Sequence, residues 1–314
     1  MTYKTIDQKA SAIDFAKARE LIEARGGGVL SLQDRRVVNV LYENAGERLC
    51  DDIDHVIGIV ELRGNHKGGE RVTDSIRRLM KTLVEVPTKD KKGRPATKLV
   101  QILSDTTVTD DENNPAGYVT YSFSPGMRAI IKDSTLWGRV RNAVVFALTS
   151  KYSVALYELG TARINMSHVW QEEFSVEDFR ALLGVPEGKL ERIPNLLQRV
   201  INPAVKEVNK MATFGVKIEP IRTGGQIRGL VTGFRMSWWK KNIEELKAAH
   251  EELNQPKFGR KARLNGTVET IASLLDSPSP LGLDEKVNAT IEEMRRTGAP
   301  DSDIKEFLDS QTPS

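Results

Sequence analysis

The chain has 314 residues, of which 28% are charged and 6% aromatic, and a formal net charge of +3. The length suits two domains of ordinary size plus a tail, and the longest clean apolar run, AVVFAL, is far too short to span a bilayer. A single cysteine excludes an intramolecular disulfide, and the N-terminus lacks an apolar run behind a basic start. We therefore expect a soluble cytoplasmic protein without a secretory signal.

The first half of the chain predicts one domain over residues 30–135, after an N-terminal arm or helix over 1–29. Within it, SLQDRRVVNVLYENAG predicts a helix that Ser31 caps and Gly46 ends. The segment RVTDSIRRLMKTLVEV predicts a second helix with apolar residues on one side and charged residues on the other. A basic loop (TKDKKGRPATK), an apolar strand (LVQILS), an acidic turn (TDDENNPAG) and an alternating strand (YVTYSFS) follow. SPGMRAIIKDSTLW then predicts a closing helix.

A second domain is predicted over residues 136–240, joined to the first near 135–148. LTSKYSVALYELGTARI supplies its first helix. FSVEDFRALLG has Ser175 as the N-cap, Phe174 and Phe179 at the spacing of a hydrophobic staple, and Gly184 where the helix stops. Only VPEGK separates it from a longer helix, so the two predict a helix-turn-helix.

That longer helix, LERIPNLLQRVINPAVKEVNK, covers residues 190–210 and carries its apolar residues within about 180° of one another on a helical wheel. Pro203 predicts a bend, because it lacks an N–H and clashes with the preceding turn. The opposite arc holds bases and carboxamides without an acid: Arg192, Asn195, Gln198, Arg199, Asn202, Lys206, Asn209 and Lys210. A solvated face usually mixes Glu with Lys, whereas Arg, Asn and Gln read base edges in a major groove.

We therefore expect this helix to lie in the major groove of DNA, with an ordinary solvated face as the alternative. Gln198, Arg199 and Asn202 are the expected base contacts. The residues expected nearer phosphates are Arg192, Lys206 and Lys210.

After the helix, FGVKIEPIRTGGQIRGLVTGFRMSW alternates on both sides of a TGG turn, which predicts a hairpin with Arg222 and Arg228 near its tip. We expect those two arginines to reach a backbone or an adjacent minor groove. A helix-turn-helix followed by a basic hairpin is a winged helix, and the first domain follows the same order more loosely. The predicted fold is thus α+β and mainly helical: two tandem winged-helix domains with small antiparallel hairpin wings.

Two features close the second domain. Trp238 and Trp239 are expected to close a core, with stacking on single-stranded bases as the less favoured alternative. Residues 241–314 predict a charged tail, partly helical or disordered, whose role the sequence does not indicate.

Positive charge is concentrated in two segments. Residues 61–98 hold 11 Lys and Arg against 5 acids, and residues 189–241 hold 11 against 3, whereas 241–314 hold 10 against 14. This distribution indicates a polyanion touched at two places. In the first domain the expected contacts, mostly to phosphates, are Arg71, Arg77, Arg78, Lys81, Lys89, Lys91, Lys92 and Arg94.

The sequence contains no signature of a cofactor, a metal site or an enzyme. No P-loop occurs, and the glycine clusters RGGGV, KGGE and TGGQ lack the setting of a phosphate cradle. The four histidines are scattered without a cysteine partner, so a zinc site is not expected. We therefore predict no cofactor, no metal and no catalytic residues.

The second domain resembles plasmid replication initiators of the iteron-binding family, which carry S-K-Y-x-x-x-L-Y in the linker helix and a recognition helix ending in v..PA..eIN. The matching residues are Ser150, Lys151, Tyr152, Leu156, Tyr157, Leu182, Gly184, Pro203, Ala204, Glu207, Val208 and Asn209. The resemblance is dense over 148–240 and thinner over 30–135. IPNLLQRV departs from the family, which more often has Tyr or Phe with a Lys-Arg pair there.

The resemblance implies a bacterial protein that binds direct repeats, or iterons, in the double-stranded DNA of a plasmid origin. It implies binding as a monomer, repression of its own promoter as a dimer, and a first domain that rearranges between the two states. The second domain would be the main sequence reader, and Lys151 joins the expected DNA contacts. The host initiator ATPase and the replicative helicase are the implied partners.

Three other functions stay open. A transcriptional repressor without initiator activity would bind DNA in the same way. An assembly adaptor would use the helices of 241–314 to bind a partner protein, and its basic faces would be ordinary surface. A nuclease, built from carboxylates distant in sequence, comes third.

Overall fold

The computed structural model describes residues 13–26, 30–63, 72–109, 117–225, 229–255 and 260. The helices are α1 (Arg19–Ile22), α2 (Leu32–Ala45), α3 (Ile59–Arg63), α4 (Val72–Lys81), α5 (Pro125–Asp133), α6 (Asn142–Ala147), α7 (Lys151–Arg163), α8 (Val176–Leu183), α9 (Ile193–Leu196), α10 (Asn202–Met211) and α11 (Ile243–Asn254). The strands are β1 (Phe15–Ala18), β2 (His55–Gly58), β3 (Leu83–Lys89), β4 (Pro95–Gln101), β5 (Leu103–Val108), β6 (Tyr118–Phe123), β7 (Trp137–Val140), β8 (Gln171–Ser175), β9 (Phe214–Arg222) and β10 (Val231–Lys240). None of these helices combines the length and the apolar character needed to cross a bilayer.

The contacts divide the chain into two compact bodies, Met1–Ala249 and His250–Ser314. Both winged-helix domains lie in the first body. In the second, the described residues include an Arg260 guanidinium that donates to the Glu252 carboxylate at 3.4 Å.

The first domain packs α2, α3 and α4 beside a three-stranded antiparallel sheet of order β2-β6-β5. Ser31 caps α2 through a reciprocal capping box with Asp34, and Gly46 stands at its C-terminal end, as predicted. Ser124 caps α5, which confirms the predicted closing helix. Its apolar face is buried, because Met127, Ile130 and Ile131 point into the core.

The predicted second helix of this domain is wrong at its C-terminal end. Helix α4 stops at Lys81, and β3 begins at Leu83. Val84 and Val86 are buried while Leu83, Glu85 and Pro87 are exposed, and this two-residue period is that of a strand. The predicted basic loop forms the turn between β3 and β4 together with the adjoining ends of both strands, which pair in antiparallel register. These two strands form the wing of the first domain.

Between the two domains, β7 pairs with β1 from the N-terminal segment, and α7 packs on β7. A buried polar group ties these elements together. The Lys17 ammonium donates to Glu158 at 2.9 Å and to Asn39 at 3.0 Å, and Asn39 donates to Glu158 at 2.7 Å. Burial lowers the pKa of Lys17, and the charge of Glu158 acts in the opposite direction. Buried charges of this kind are tolerated only when they are paired.

The second domain has the order predicted for a winged helix. Ser175 accepts a hydrogen bond from the Asp178 N–H, Gly184 adopts the left-handed conformation (φ 70°), and the Phe174 and Phe179 rings lie 5.7 Å apart. Strands β9 and β10 form the predicted hairpin. Strand β8, which the sequence analysis missed, adds to β10 and gives a sheet of order β8-β10-β9.

The two tryptophans at the end of β10 have different environments. Trp238 is 3% exposed and closes the core, as predicted. Trp239 is 40% exposed and its indole lies against Gly215, where a Cβ would come within 2.2 Å of the ring. The absence of a side chain at Gly215 therefore leaves room for the Trp239 ring. The predicted charged helix after the sheet is α11, with reciprocal hydrogen bonds between Asn242 and Glu245 at its start.

Candidate nucleic-acid interface

The helix predicted over 190–210 starts later and contains a wider turn. Leu190 has a positive φ of 55°, and Arg192 is the N-cap of α9. From α9 the helix continues through a π-helical turn, Leu197–Ile201, into α10, and Pro203 stands in the first turn of α10. A proline cannot donate to the carbonyl four residues earlier, and a π turn in the preceding segment accommodates that missing bond. We call α9, the π turn and α10 the recognition helix.

The apolar residues buried along the recognition helix are Leu196, Val200, Ile201, Ala204, Val208 and Met211. The predicted apolar stripe is confirmed, since five of its residues are buried and the other four, Leu190, Ile193, Leu197 and Val205, are half-buried. Glu207, which the wheel put at the edge, is buried and accepts hydrogen bonds from the N–H and hydroxyl of Thr149. These bonds hold α10 at the start of α7.

The exposed side of the recognition helix carries most of the predicted polar residues. Gln198, Arg199, Asn202 and Lys206 are exposed, and we call these four residues the polar row. Arg192 is exposed just before α9. Asn195 and Lys210 are half-buried at the two ends of the helix.

Asn209, which is predicted to contact DNA, makes two hydrogen bonds inside the protein. Its carboxamide donates to the Val216 carbonyl at 2.9 Å and accepts from the Val216 N–H at 2.7 Å. Both halves of the side chain are thus used to hold α10 against β9. These two bonds fix the orientation of the carboxamide toward β9 and give Asn209 a structural role.

The turn before the recognition helix is held by Arg180 of α8. Its guanidinium donates to the carbonyls of Lys189 and Leu190, so it closes the turn between the two helices of the helix-turn-helix. Lys151 lies at the start of α7 with its ammonium 5.4 Å from the centroid of the Tyr152 ring. Burial lowers the pKa of Lys151, and the nearby positive charge of Arg35 lowers it further.

The wing of the second domain places Arg222 at the end of β9. Its guanidinium donates to the Gly229 carbonyl at 2.9 Å, and the side chain is half-buried along the wing. The second predicted wing arginine, Arg228, lies outside the described residues.

In the first domain α4 presents fewer of the predicted contacts. Arg77 and Lys81 are exposed, and Arg77 pairs with Asp74 at 3.6 Å. Arg78 is instead paired inside the protein: its guanidinium donates to both carboxylate oxygens of Asp34, at 2.8 and 2.9 Å. Arg78, which is predicted to contact DNA, therefore has a structural role, because this bidentate pair joins α4 to α2. Arg71 lies outside the described residues.

Burial works to raise the pKa of Asp34, but hydrogen bonds from Arg78 and Ser31 outweigh it and hold that pKa below its usual value. The carboxylate is fully buried, so it depends on the arginine for its charge balance.

The predicted basic loop of the first domain is the tip of its wing. Asp90 orders this tip by accepting from the N–H groups of Lys92 and Arg94, at 2.8 and 3.0 Å, and from the Arg94 guanidinium at 2.7 Å. Hydrogen bonds from the Arg94 backbone and side chain lower the pKa of Asp90. The exposed cations at the tip are Lys89, Lys91, Lys92 and Arg94.

The arrangement thus offers hydrogen-bond donors and acceptors on one exposed helix and dense positive charge on one wing tip. Amide and guanidinium groups match base edges, and lysines match phosphates. Among the described residues, no three His, Cys, Asp or Glu side chains are grouped as metal ligands would be.

Comparison with known proteins gives two family matches. The model described as Initiator Replication protein, WH1 matches residues 14–161, and the model described as Initiator Rep protein, WH2 matches residues 175–238. No curated protein sequence matches the chain significantly.

Among solved structures, the crystal structure of the Pi initiator protein in complex with iteron DNA has a TM-score of 0.54 and 17% sequence identity. The match covers 76% of this chain and 100% of that one. Two structures of domains 2 and 3 of RctB have TM-scores of 0.36, with 12% and 10% identity, over 73% and 74% of this chain and 86% and 88% of theirs. The likeness to the Pi initiator shows a shared fold of tandem winged helices.

Proposed function

The chain belongs to the initiator replication protein family, and we propose from that membership that it binds iterons in the double-stranded DNA of a plasmid origin and initiates replication there. The observation that carries this proposal is the polar row on the recognition helix. Gln198 and Asn202 suit adenine, and Arg199 suits guanine, because these side chains form bidentate hydrogen bonds with those bases in the major groove. The iteron complex of the Pi initiator, a protein of the same fold, supports the choice of ligand.

In this proposal the two domains make different kinds of DNA contact. The second domain, residues 136–240, reads bases with Gln198, Arg199 and Asn202 of the polar row. The groups that approach phosphates are Arg192, Lys206, Lys210, Lys151 and the wing. The first domain, residues 30–135, adds phosphate contacts through its wing tip and through Arg77 and Lys81. Phosphate contacts hold the protein in place, and base contacts choose the site.

A binding titration tests the proposal. Fluorescence anisotropy would follow a labelled duplex from the DNA flanking the gene, with a scrambled duplex as competitor, at several salt concentrations. If six to ten phosphates are neutralised, affinity should fall roughly 10³- to 10⁵-fold between 50 and 200 mM salt. Preference for the flanking duplex supports the proposal. Equal, weak binding to both duplexes contradicts it and favours the adaptor.

Initiation itself requires a replication assay, because a repressor of the same fold would bind DNA equally well. The gene with its flanking DNA should maintain a plasmid that has no other origin, and a frameshift in the gene should abolish maintenance. Binding without maintenance would leave the transcriptional repressor as the function.

We also propose that the protein forms a dimer that represses its own promoter and that it recruits the host initiator ATPase and the replicative helicase. The energy for opening the origin then comes from binding and from those host motors, so the chain carries out no chemical step. Metal-dependent cleavage of origin DNA by the purified protein would contradict this part.

A further inference from the structure

A cluster of ion pairs connects the N-terminal segment to the second domain. The Arg163 guanidinium, only 1% exposed, donates to Glu23 at 2.6 Å and to Glu172 at 2.7 Å. Arg19 donates to the same two carboxylates, at 2.8 Å to Glu23 and 3.5 Å to Glu172. Glu23 follows α1 and Glu172 lies in β8, so two arginines and two glutamates form a closed, neutral group between the segment and the sheet.

The same segment is also attached to the wing of the first domain. The backbone of Arg25 pairs with that of Glu85 in β3, with N–H to carbonyl distances of 2.9 and 3.0 Å. Gly26 has a φ of 81°, and a Cβ there would lie 2.6 Å from the Leu83 carbonyl oxygen. The close approach of the N-terminal segment to β3 therefore requires glycine at position 26.

Arg25 contacts both the first wing and the second domain. While its backbone pairs with β3, its guanidinium forms an ion pair with Asp178 in α8, the first helix of the helix-turn-helix. We call Arg19, Glu23, Arg25, Arg163, Glu172 and Asp178 the N-terminal clasp. The clasp joins the base of one wing to the sheet and helix that support the recognition helix of the other domain.

We infer that the N-terminal clasp fixes where the wing tip of the first domain contacts DNA relative to the recognition helix of the second. This inference rests on the proposed function. One base pair of B-DNA advances about 3.4 Å and turns by about 35°, so a small change between the domains moves the wing tip to a different phosphate. A rigid connection also removes the entropic cost of ordering the second contact after the first.

The ion pairs suit this role because they depend on one another. A buried arginine is tolerated when its charge is paired and its donors are used, and Arg163 also donates to the Leu159 carbonyl at 3.2 Å. Removing one carboxylate leaves both arginines short of a partner. The residues of the clasp are positioning residues, since they act through the two DNA-facing elements.

Hydroxyl-radical footprinting on the preferred duplex tests the inference, with Glu172→Gln and Arg25→Ala as test variants. The Arg25 side chain is 41% exposed, so we expect its substitution to leave the fold intact even if Glu172→Gln destabilises the protein. Glu173→Gln is the matched control: the residue neighbours Glu172 on β8, but its partner, Arg235 at 2.7 Å, lies within the same sheet. Lys91→Ala with Lys92→Ala identifies the protected patch that belongs to the first wing.

Wild type and Glu173→Gln should show two protected patches at a constant separation. In both test variants the first wing's patch should fade or shift by at least about one nucleotide, while the recognition-helix patch stays, and affinity should drop about tenfold. Unchanged patches in folded test variants overturn the inference. A wild type that protects only the recognition-helix patch overturns it too and leaves the proposed function standing, whereas a wild type without any footprint contradicts the proposed function itself.

Discussion

The recognition helix of the second domain and helix α4 of the first occupy corresponding places in two winged helices, yet they present different side chains. On the recognition helix, Arg199 is exposed in a row with amides. On α4, Arg78 is paired with a buried carboxylate. The first domain carries its exposed charge at the wing tip instead. The neighbours of an arginine thus decide whether its side chain is left exposed or is paired within the protein.

The largest effect should come from the polar row. Arg199→Ala with Asn202→Ala should weaken binding to the preferred duplex roughly 10²- to 10³-fold, because each bidentate base contact is worth about 1–3 kcal/mol. Competition anisotropy measures the change. Lys247→Ala, which removes an exposed lysine on α11 outside the proposed DNA contacts, is the control and should bind as wild type does. An equal loss in the control would show that charge alone matters.

A smaller effect, on stability, is expected from removing the ion pair between Arg78 of α4 and Asp34 of α2. Arg78→Ala should lower the free energy of unfolding by about 2–4 kcal/mol, because it leaves the buried Asp34 carboxylate unpaired. Arg77→Ala, whose side chain is 68% exposed, should cost less than about 0.5 kcal/mol. Urea unfolding at neutral pH measures both. If the two variants are equally stable, Arg78 has no structural role.

The ion pair between Arg78 and Asp34 also predicts that the stability of the protein depends on pH. The pKa of Asp34 is lower in the folded protein than in the unfolded chain, so its contribution to stability is present above about pH 4 and is lost as pH falls through the folded pKa. The difference in stability between wild type and Arg78→Ala should therefore shrink as pH falls below about 4. A constant difference down to pH 2 would contradict this.

The wing tip of the first domain should give an effect without sequence preference. Lys91→Ala with Lys92→Ala should weaken binding to all duplexes alike, by roughly tenfold at low salt, and reduce the slope of log affinity against log salt by about 2. Titrations at four salt concentrations measure that slope. A change in preferred sequence instead would mean that this wing reads bases.

The smallest effect is expected at Asn209. Asn209→Ala should cost about 1–2 kcal/mol of stability by removing both hydrogen bonds to Val216, while preference among duplexes stays unchanged. Thermal unfolding and competition binding check the two parts separately. If this variant discriminates less between duplexes, Asn209 contacts a base after all.

Local signals in the sequence predicted the parts of the fold that depend on neighbouring residues. Ser175, Phe179 and Gly184 define α8 through contacts within a few positions, and the hairpin of the second wing follows from alternation around TGG. The strand at Leu83 was missed because LVEV also continues the apolar pattern of the preceding helix. Its buried and exposed residues separate only when β4 pairs with it.

The candidate site was predictable to the extent that it lies on one helix face. The roles of Arg78 and Asn209 depend on Asp34 and Val216, and a helical wheel contains no information about such partners. Glu207 is likewise buried because it accepts hydrogen bonds from Thr149, a residue 58 positions away. The N-terminal clasp joins residues about 150 positions apart, beyond the reach of any local pattern.

The most direct test of base reading by the polar row is the affinity of wild type and Arg199→Ala for duplexes in which every base pair of the preferred site is replaced in turn. If Arg199 contacts a base, the variant should lose discrimination at one or two adjacent positions and keep it elsewhere, since a base contact affects only the pair it touches. If the variant binds every duplex more weakly by the same factor, Arg199 contacts a phosphate, and the recognition helix does not read sequence in the way proposed.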